Sequence, residues 1–197
     1  DSAAAGPIEE GSVGGGTGMI TFGFKAGSGT ASRIVGWQGN SYTVGAFVQS
    51  NFGKLRNFTL RGQHVEPALA ESATRADAPH AEKGPIIHDL ATHAPLLPHQ
   101  LQRVARRAAL AVGRMGGLGE DSSGDIFIAF STANPKASVD TGTVKLTMLP
   151  NDRINPMFEA TVQATEEAIV NALLAAETMT GADGFRVYAL PRDRLMA

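Results

Sequence analysis

The amino-acid sequence predicts a layered α+β domain in which helices cover sheets. Three observations carry that expectation. The first third of the chain alternates bulky apolar residues with smaller ones, the period-2 signal of strands. Two later stretches repeat apolar residues at helical spacing, and short apolar runs of strand length are interleaved with them. With 197 residues, 43% of them hydrophobic and 18% charged, the chain has enough apolar material for a sizeable core and is predicted to be one globular domain.

The elements follow in order. MITFGFKAG (Met19 to Gly27) and YTVGAFVQSNFG (Tyr42 to Gly53) read as adjacent strands of an antiparallel sheet. Between them, GSGTASRIVGWQGNS is rich in turn residues and reads as their connection. LRNFTLRG (Leu55 to Gly62) extends the strand region. Residues 63–84 combine Pro, Ala and charge without an apolar period, so a surface connection is expected there. A strand is predicted from Ile86 to Thr92, then a helix from about Pro98 to Met115 with Leu101, Val104, Ala105, Ala108, Val112 and Met115 on one face. Its first-turn proline is compatible with helix, and Gly116 to Gly119 supplies the stop. DIFIAFST (Asp125 to Thr132) reads as a strand buried on both faces, with Gly142 to Leu149 as a candidate neighbour. A second helix opens at Asn155 and Pro156, turns Phe158, Val162, Thr165, Ile169, Ala172, Leu173 and Ala176 towards a core, and ends near Gly181. FRVYAL (Phe185 to Leu190) is a candidate last strand, and no internal repeat is evident.

Composition narrows the partners. The formal net charge is -2 and the basic residues are spread along the chain, so no electrostatic footprint for nucleic acid or an anionic membrane is present. No apolar run approaches the ~20 residues that span a bilayer, and the opening DSAAAGPIEEGSVGGG lacks the regions of a signal peptide. A small-molecule or peptide partner and a cytoplasmic location are the expectations, with a periplasmic location left open. There is no cysteine, hence no disulfide, thiolate metal site or cysteine nucleophile. The chain begins at Asp1 rather than Met and runs at once into a glycine-dense motif, so a longer sequence that has lost its front is expected.

Four motifs could carry chemistry. GGGTG (Gly14 to Gly18) lacks the Gly-Lys-Ser/Thr ending of a phosphate loop and the G-x-G-x-x-G of a dinucleotide fingerprint, which leaves a tight turn or a close backbone approach to substrate. His80, His88, His93 and His99 crowd one stretch, and His88, Asp89 and His93 could be imagined around a metal, but residues 88 and 93 of a strand point to opposite faces. SSGD (Ser122 to Asp125) is either a simple turn or a hydroxyl and a carboxylate, Ser123 and Asp125, held on one side of an extended segment where they can orient a nucleophile. QSNFG (Gln49 to Gly53) is a strand end, or presents the Asn51 amide to a developing oxyanion.

Six blocks together resemble a known family: GSVGGGTGM, KAGSGTASR, QSNFG, ATHAPLLPHQLQRVARRAALAVGR, SGDIFIAFSTAN and INPMFEATVQATEEAIVNALLAAETMTG. In order and over nearly the whole chain they are similar to the L-aminopeptidase/D-Ala-esterase/amidase (DmpA) and β-peptidyl aminopeptidase family. The resemblance implies a four-layered αββα sandwich akin to the N-terminal-nucleophile hydrolases, with the family's first third absent before Asp1. It also implies a precursor that cuts itself before a Ser or Thr, whose freed α-amine then serves as base for its own hydroxyl. On that pattern residues 1–62 end the α-chain portion, 63–84 link it to the processing position after Gly84, and 85–197 form the β-chain portion.

At the nucleophile position this sequence has Pro85. Proline fits the first residue of a strand, where no ladder N–H is required, but it has no hydroxyl to attack with. The nearest downstream hydroxyl is Thr92, at the strand's far end. His88 and Asp89 stand where the family is usually apolar, and His93 where it usually has Asp. By resemblance Asn51 helps hold the oxyanion, while Ser123 and Asp125, the latter with an acidic family counterpart, orient the nucleophile and its amine. The implied activity is release of an N-terminal residue from short peptides, amides or esters, without cofactor, by a homo-oligomer; as written, the chain is expected to be inactive. The alternative is a non-catalytic protein that keeps the pocket and binds amino-terminal peptides or amides.

Overall fold

The structure, a computed structural model, describes residues 4–65, 69, 84–121, 123–140 and 142–195. The glycine run Gly14–Gly18 forms one tight 3-10 turn that leads into a miniature hairpin, Ile20–Thr21 (β1) against Phe24–Lys25 (β2). Met19 to Gly27 is therefore not one strand. Phe22 (φ 53) and Gly23 (φ 82) both take left-handed backbone between the two short strands, the geometry of a two-residue hairpin. A bulky residue held there costs on the order of 1–3 kcal/mol. Packing offsets it: the fully buried Phe22 ring stacks on Phe58 at 4.2 Å between centroids and meets Phe52 edge-on at 5.1 Å, contacts worth about 0.5–1.5 kcal/mol each beyond the burial itself.

Ser28–Trp37 (β3) and Asn40–Gln49 (β4) pair antiparallel over ten positions, from Ser28↔Gln49 to Trp37↔Asn40. The segment read as a connection is thus itself a long strand. Its glycine and serine content serves packing rather than turning: a Cβ on Gly29 would overlap the backbone of the second long helix at Ala168 and Ala172. Thr59–Leu60 (β5) and Gln63–His64 (β6) form a second miniature hairpin after a 3-10 turn at Leu55–Asn57. Most of the expected connection 63–84 lies outside the described residues, although Leu69 within it is fully buried.

Ile87–Thr92 (β7) adds to β4 antiparallel, from Gln49↔Ile87 to Val44↔Thr92. Pro98–Met115 (α1) has the predicted bounds and ends on Gly116 at φ 103. Ile126–Ser131 (β8) then pairs parallel with β7, as a strand reached through a helical crossover does, giving the sheet order β3-β4-β7-β8. Asn155–Ala175 (α2) is shorter than predicted, because the chain turns extended at Ala176. Met179–Thr180 (β9) pairs with Arg186–Val187 (β10), and Arg192–Leu195 (α3) is a final single turn.

Both long helices cover one face of the sheet. Ala160, Ala164, Ala168 and Ala172 recur every fourth residue along α2 and are buried, so a ridge of small side chains lets the helix rest directly on β3. From α1 come Val104, Ala108, Val112 and Met115, and from the sheet Val44, Ala46, Val48 and Leu90. The opposite face differs. Ile126, Ile128 and Phe130 remain about half exposed there, so β8 is an edge strand that is partly buried on one face and open on the other, not buried on both. Val144, Leu146 and Met148 are also exposed, and Gly142 to Leu149 forms no strand despite its alternation, since among the described residues no neighbouring strand pairs with it. Its end is anchored instead: the Leu149 N–H donates to the Pro95 carbonyl at 2.8 Å, and buried Gln100 donates to the Leu149 carbonyl at 2.8 Å.

Candidate active site

Topology gathers three strand ends. Because β4 runs antiparallel to β7, its last residues lie beside the first residues of β7; because β8 runs parallel to β7, the heads of those two strands lie side by side. Asn51 follows β4, Gly84 to Ile86 precede β7, and Ser123 and Asp125 precede β8. Residues far apart in sequence therefore meet at one corner of the sheet.

Asn51 is pinned from both sides. Before it, buried Ser50 donates its N–H to the Gly27 carbonyl at 2.9 Å and shares a 2.8 Å hydroxyl bond with Thr21. After it, the Phe52 carbonyl accepts the Phe22 N–H at 3.0 Å. The Asn51 Oδ1 accepts the Ile20 N–H at 2.9 Å, which aims Nδ2 the other way, towards Gly84. A side chain at 84 would overlap that amide, so glycine is required there by space alone. Across the strand head, Asp125 Oδ1 accepts two hydrogen bonds, from Ser123 Oγ at 2.6 Å and from the Ile86 N–H at 3.1 Å. The Ile86 amide directly follows Pro85, so amide, hydroxyl and carboxylate surround the Gly84-Pro85-Ile86 backbone.

Other predicted residues fall elsewhere. His88 points into the core and is fully buried; Asp89 pairs with Phe47 and Ile128 on the uncovered face; His93 lies exposed beyond β7, its ring between the Thr43 N–H and the Ser41 carbonyl. Among the described residues no group of three His, Asp or Glu side chains is placed to share a metal. Thr92 donates to the Thr43 carbonyl at 2.6 Å and accepts the Ala94 N–H, so the nearest downstream hydroxyl serves the strand's end. The glycine turn packs against backbone: a Cβ on Gly16 would strike Gly11, Gly27 and Ser28.

Two ionisable groups are buried, Lys25, which sequence reasoning passed over, and His88, which it marked as a polar departure from the family. The Lys25 ammonium lies under the glycine turn and donates to the carbonyls of Ala26, Met19 and Gly16 at 2.7, 2.9 and 3.3 Å; burial lowers its pKa to about 8. His88 Nε2 donates to Thr165 Oγ1 at 3.0 Å, since the Thr165 hydroxyl gives its own hydrogen to the Thr161 carbonyl. His88 Nδ1 is left buried without a partner, and burial lowers the ring's pKa to about 4. No sequence pattern shows which lysine or histidine turns inward; the family departure at 88 was the only signal.

The fold defines the class. Over 98% of the chain it superposes, with a TM-score of 0.89 and 44% identity, on 52% of the L-aminopeptidase D-Ala-esterase/amidase of Ochrobactrum anthropi, described as a prototype serine aminopeptidase and a variant of the Ntn hydrolase fold. Residues 1–187 match peptidase family S58, and the chain belongs to that family. Two relatives named β-peptidyl aminopeptidase BapA are also similar to it. The one from Sphingosinicella microcystinivorans is 48% identical across 100% of the chain and 52% of its own length; the one from Sphingosinicella xenopeptidilytica is 44% identical across 99% and 51%. The chain therefore spans about half the length of these relatives, less than the two thirds expected from the resemblance.

Proposed function

We propose that the chain carries the processing and catalytic segment of an S58 aminopeptidase that releases N-terminal residues from short peptides, amides or esters, and that Pro85 disables it. Supporting this reading is the convergence of Asn51 Nδ2, Ser123 and Asp125 on the backbone of residues 84–86. With a serine at position 85, its Oγ attacks the Gly84 carbonyl carbon, the carbon–nitrogen bond to residue 85 breaks, and the hydroxyl proton passes to the departing nitrogen. The resulting ester is hydrolysed by water, leaving a Gly84 carboxylate and a residue 85 with both hydroxyl and α-amine. Asn51 Nδ2 stabilises the oxyanion in that step and in substrate acyl transfer. Ser123 and Asp125 hold the nucleophile and its amine. On the same reading residues 1–62 and 85–197 are the two portions that processing separates, with 63–84 as their link.

Proline blocks both steps, so the intact mass of the protein is a single uncut species. Pro85→Ser in the whole protein tests the proposal: it restores a cut between residues 84 and 85 and release of amine from an aminoacyl p-nitroanilide. A folded protein that neither cuts itself nor turns over refutes the assignment. The missing hydroxyl favours a second reading, a pocket that binds amino-terminal peptides or amides without turnover; saturable peptide binding by the unaltered protein together with failure of Pro85→Ser supports it.

A further inference from the structure

The Met19–Ile20 peptide group is bonded at both ends. Its carbonyl accepts from the Lys25 ammonium at 2.9 Å, and its N–H donates to Asn51 Oδ1 at 2.9 Å. A cation on the carbonyl draws electron density from the peptide and makes its N–H a stronger donor; that N–H does the same to the Asn51 amide, whose Nδ2 faces Gly84. Among the described residues nothing accepts a hydrogen bond from Asn51 Nδ2, so its donors are available to a reacting oxygen.

We propose that Lys25 is a positioning residue: acting through the Met19–Ile20 peptide, it fixes and polarises the Asn51 amide that serves the reaction at position 84. This rests on the oxyanion role given to Asn51 above. The burial of Lys25 argues for such a task. A nearly inaccessible ammonium with three carbonyl partners and no acidic partner among the described residues is an expensive way to close a glycine turn, which neutral donors could close as well. The segment packed alongside contributes the Tyr188 carbonyl, which accepts the Lys25 backbone N–H at 2.7 Å, while the Tyr188 phenol is about half exposed. Lys25 is the charge bonded directly into the Asn51 relay, while the Asp125 carboxylate lies across the strand head on the Ile86 N–H; Lys25 titrates within an accessible pH range because burial has lowered its pKa to about 8.

The test has a spectroscopic arm that needs no catalysis. In the unaltered protein labelled with nitrogen-15, the Ile20 amide and the Asn51 side-chain amide should shift together between pH 6 and 10, with the same midpoint as the Lys25 ammonium. Lys25→Met should abolish both shifts; if that variant does not fold, the titration of the unaltered protein decides alone. A Lys25 titration that leaves either amide unmoved overturns the proposal. In a Pro85→Ser protein that cuts itself, Lys25→Met should slow cutting and lower kcat at least 10-fold with KM little changed, and Lys25→Arg should recover part of the loss. Unchanged rates there also overturn it. Failure of Pro85→Ser to cut counts against the aminopeptidase reading instead, and leaves the relay to be judged by the paired titration.

Discussion

The side-chain amide of Asn51 occupies the space that a side chain at Gly84 would fill. Glycine at position 84 is therefore a matter of room for the Asn51 amide, not of backbone freedom. Gly84→Ala should push the Asn51 amide aside and lower stability by about 1–3 kcal/mol, the usual cost of overpacking. In a self-cutting Pro85→Ser background it should also block the cut, read by intact mass. Normal cutting by the alanine variant would remove Asn51 from the site.

Asn51→Ala separates donation from packing. The variant leaves the Ile20 N–H without its acceptor, a loss of about 1 kcal/mol measured by denaturant unfolding. Turnover in the Pro85→Ser background should fall on the order of 10²-fold or more, the loss typical of one oxyanion donor. A rate loss no larger than the stability loss would assign Asn51 to the strand end.

Asp125→Ala removes the acceptor shared by Ser123 Oγ and the Ile86 N–H. Stability should drop by about 1–3 kcal/mol, as expected for hydrogen bonds to a charged group. Amide exchange should accelerate first at Ile86, while the centre of β7 stays protected. Unaltered exchange at Ile86 would show that the carboxylate does not hold the strand head.

His88 makes the fold acid-sensitive. Its folded pKa is lowered from the usual 6.5 to about 4 because the buried ring resists charging. The folded state therefore binds fewer protons than the unfolded state between those values. Its contribution is fully present above about pH 6.5 and is lost as the pH falls towards 4, up to roughly 3 kcal/mol. His88→Val should flatten stability between pH 7 and pH 4.5. It should also be tolerated, since the Thr165 hydroxyl keeps its bond to Thr161. An equally steep profile in the variant would place the sensitivity elsewhere.

What was legible in the sequence follows from which forces are local. Helix α1 could be bounded closely because its apolar face, its first-turn proline and Gly116 are signals carried by the helix and the residue that ends it. Strand β3 could not, because the reason for Gly29 lies in α2, well over a hundred residues away, and locally the segment has the composition of a loop. Gly142 to Leu149 fails in the opposite direction: the alternation is that of a strand, but strands also need a neighbour. At the site, periodicity offered only separate turns and strand ends. Similarity to a family named Asn51, Ser123 and Asp125, and the β4-β7-β8 ordering explains how they come to one corner. Lys25 was outside both kinds of reading, since inward orientation is decided by the hairpin that Phe22 and Gly23 create.

The bond between residues 84 and 85 has a second property. Strand β4 lies before it and β7 after it, yet the two are laced together from Gln49↔Ile87 to Val44↔Thr92, and α2, also after it, lies along β3 before it. Severing that bond would turn one chain into two without creating two bodies. The pieces would stay interlocked through shared sheet and core, so the new amino terminus would be born already in its place, with no docking step after the cut.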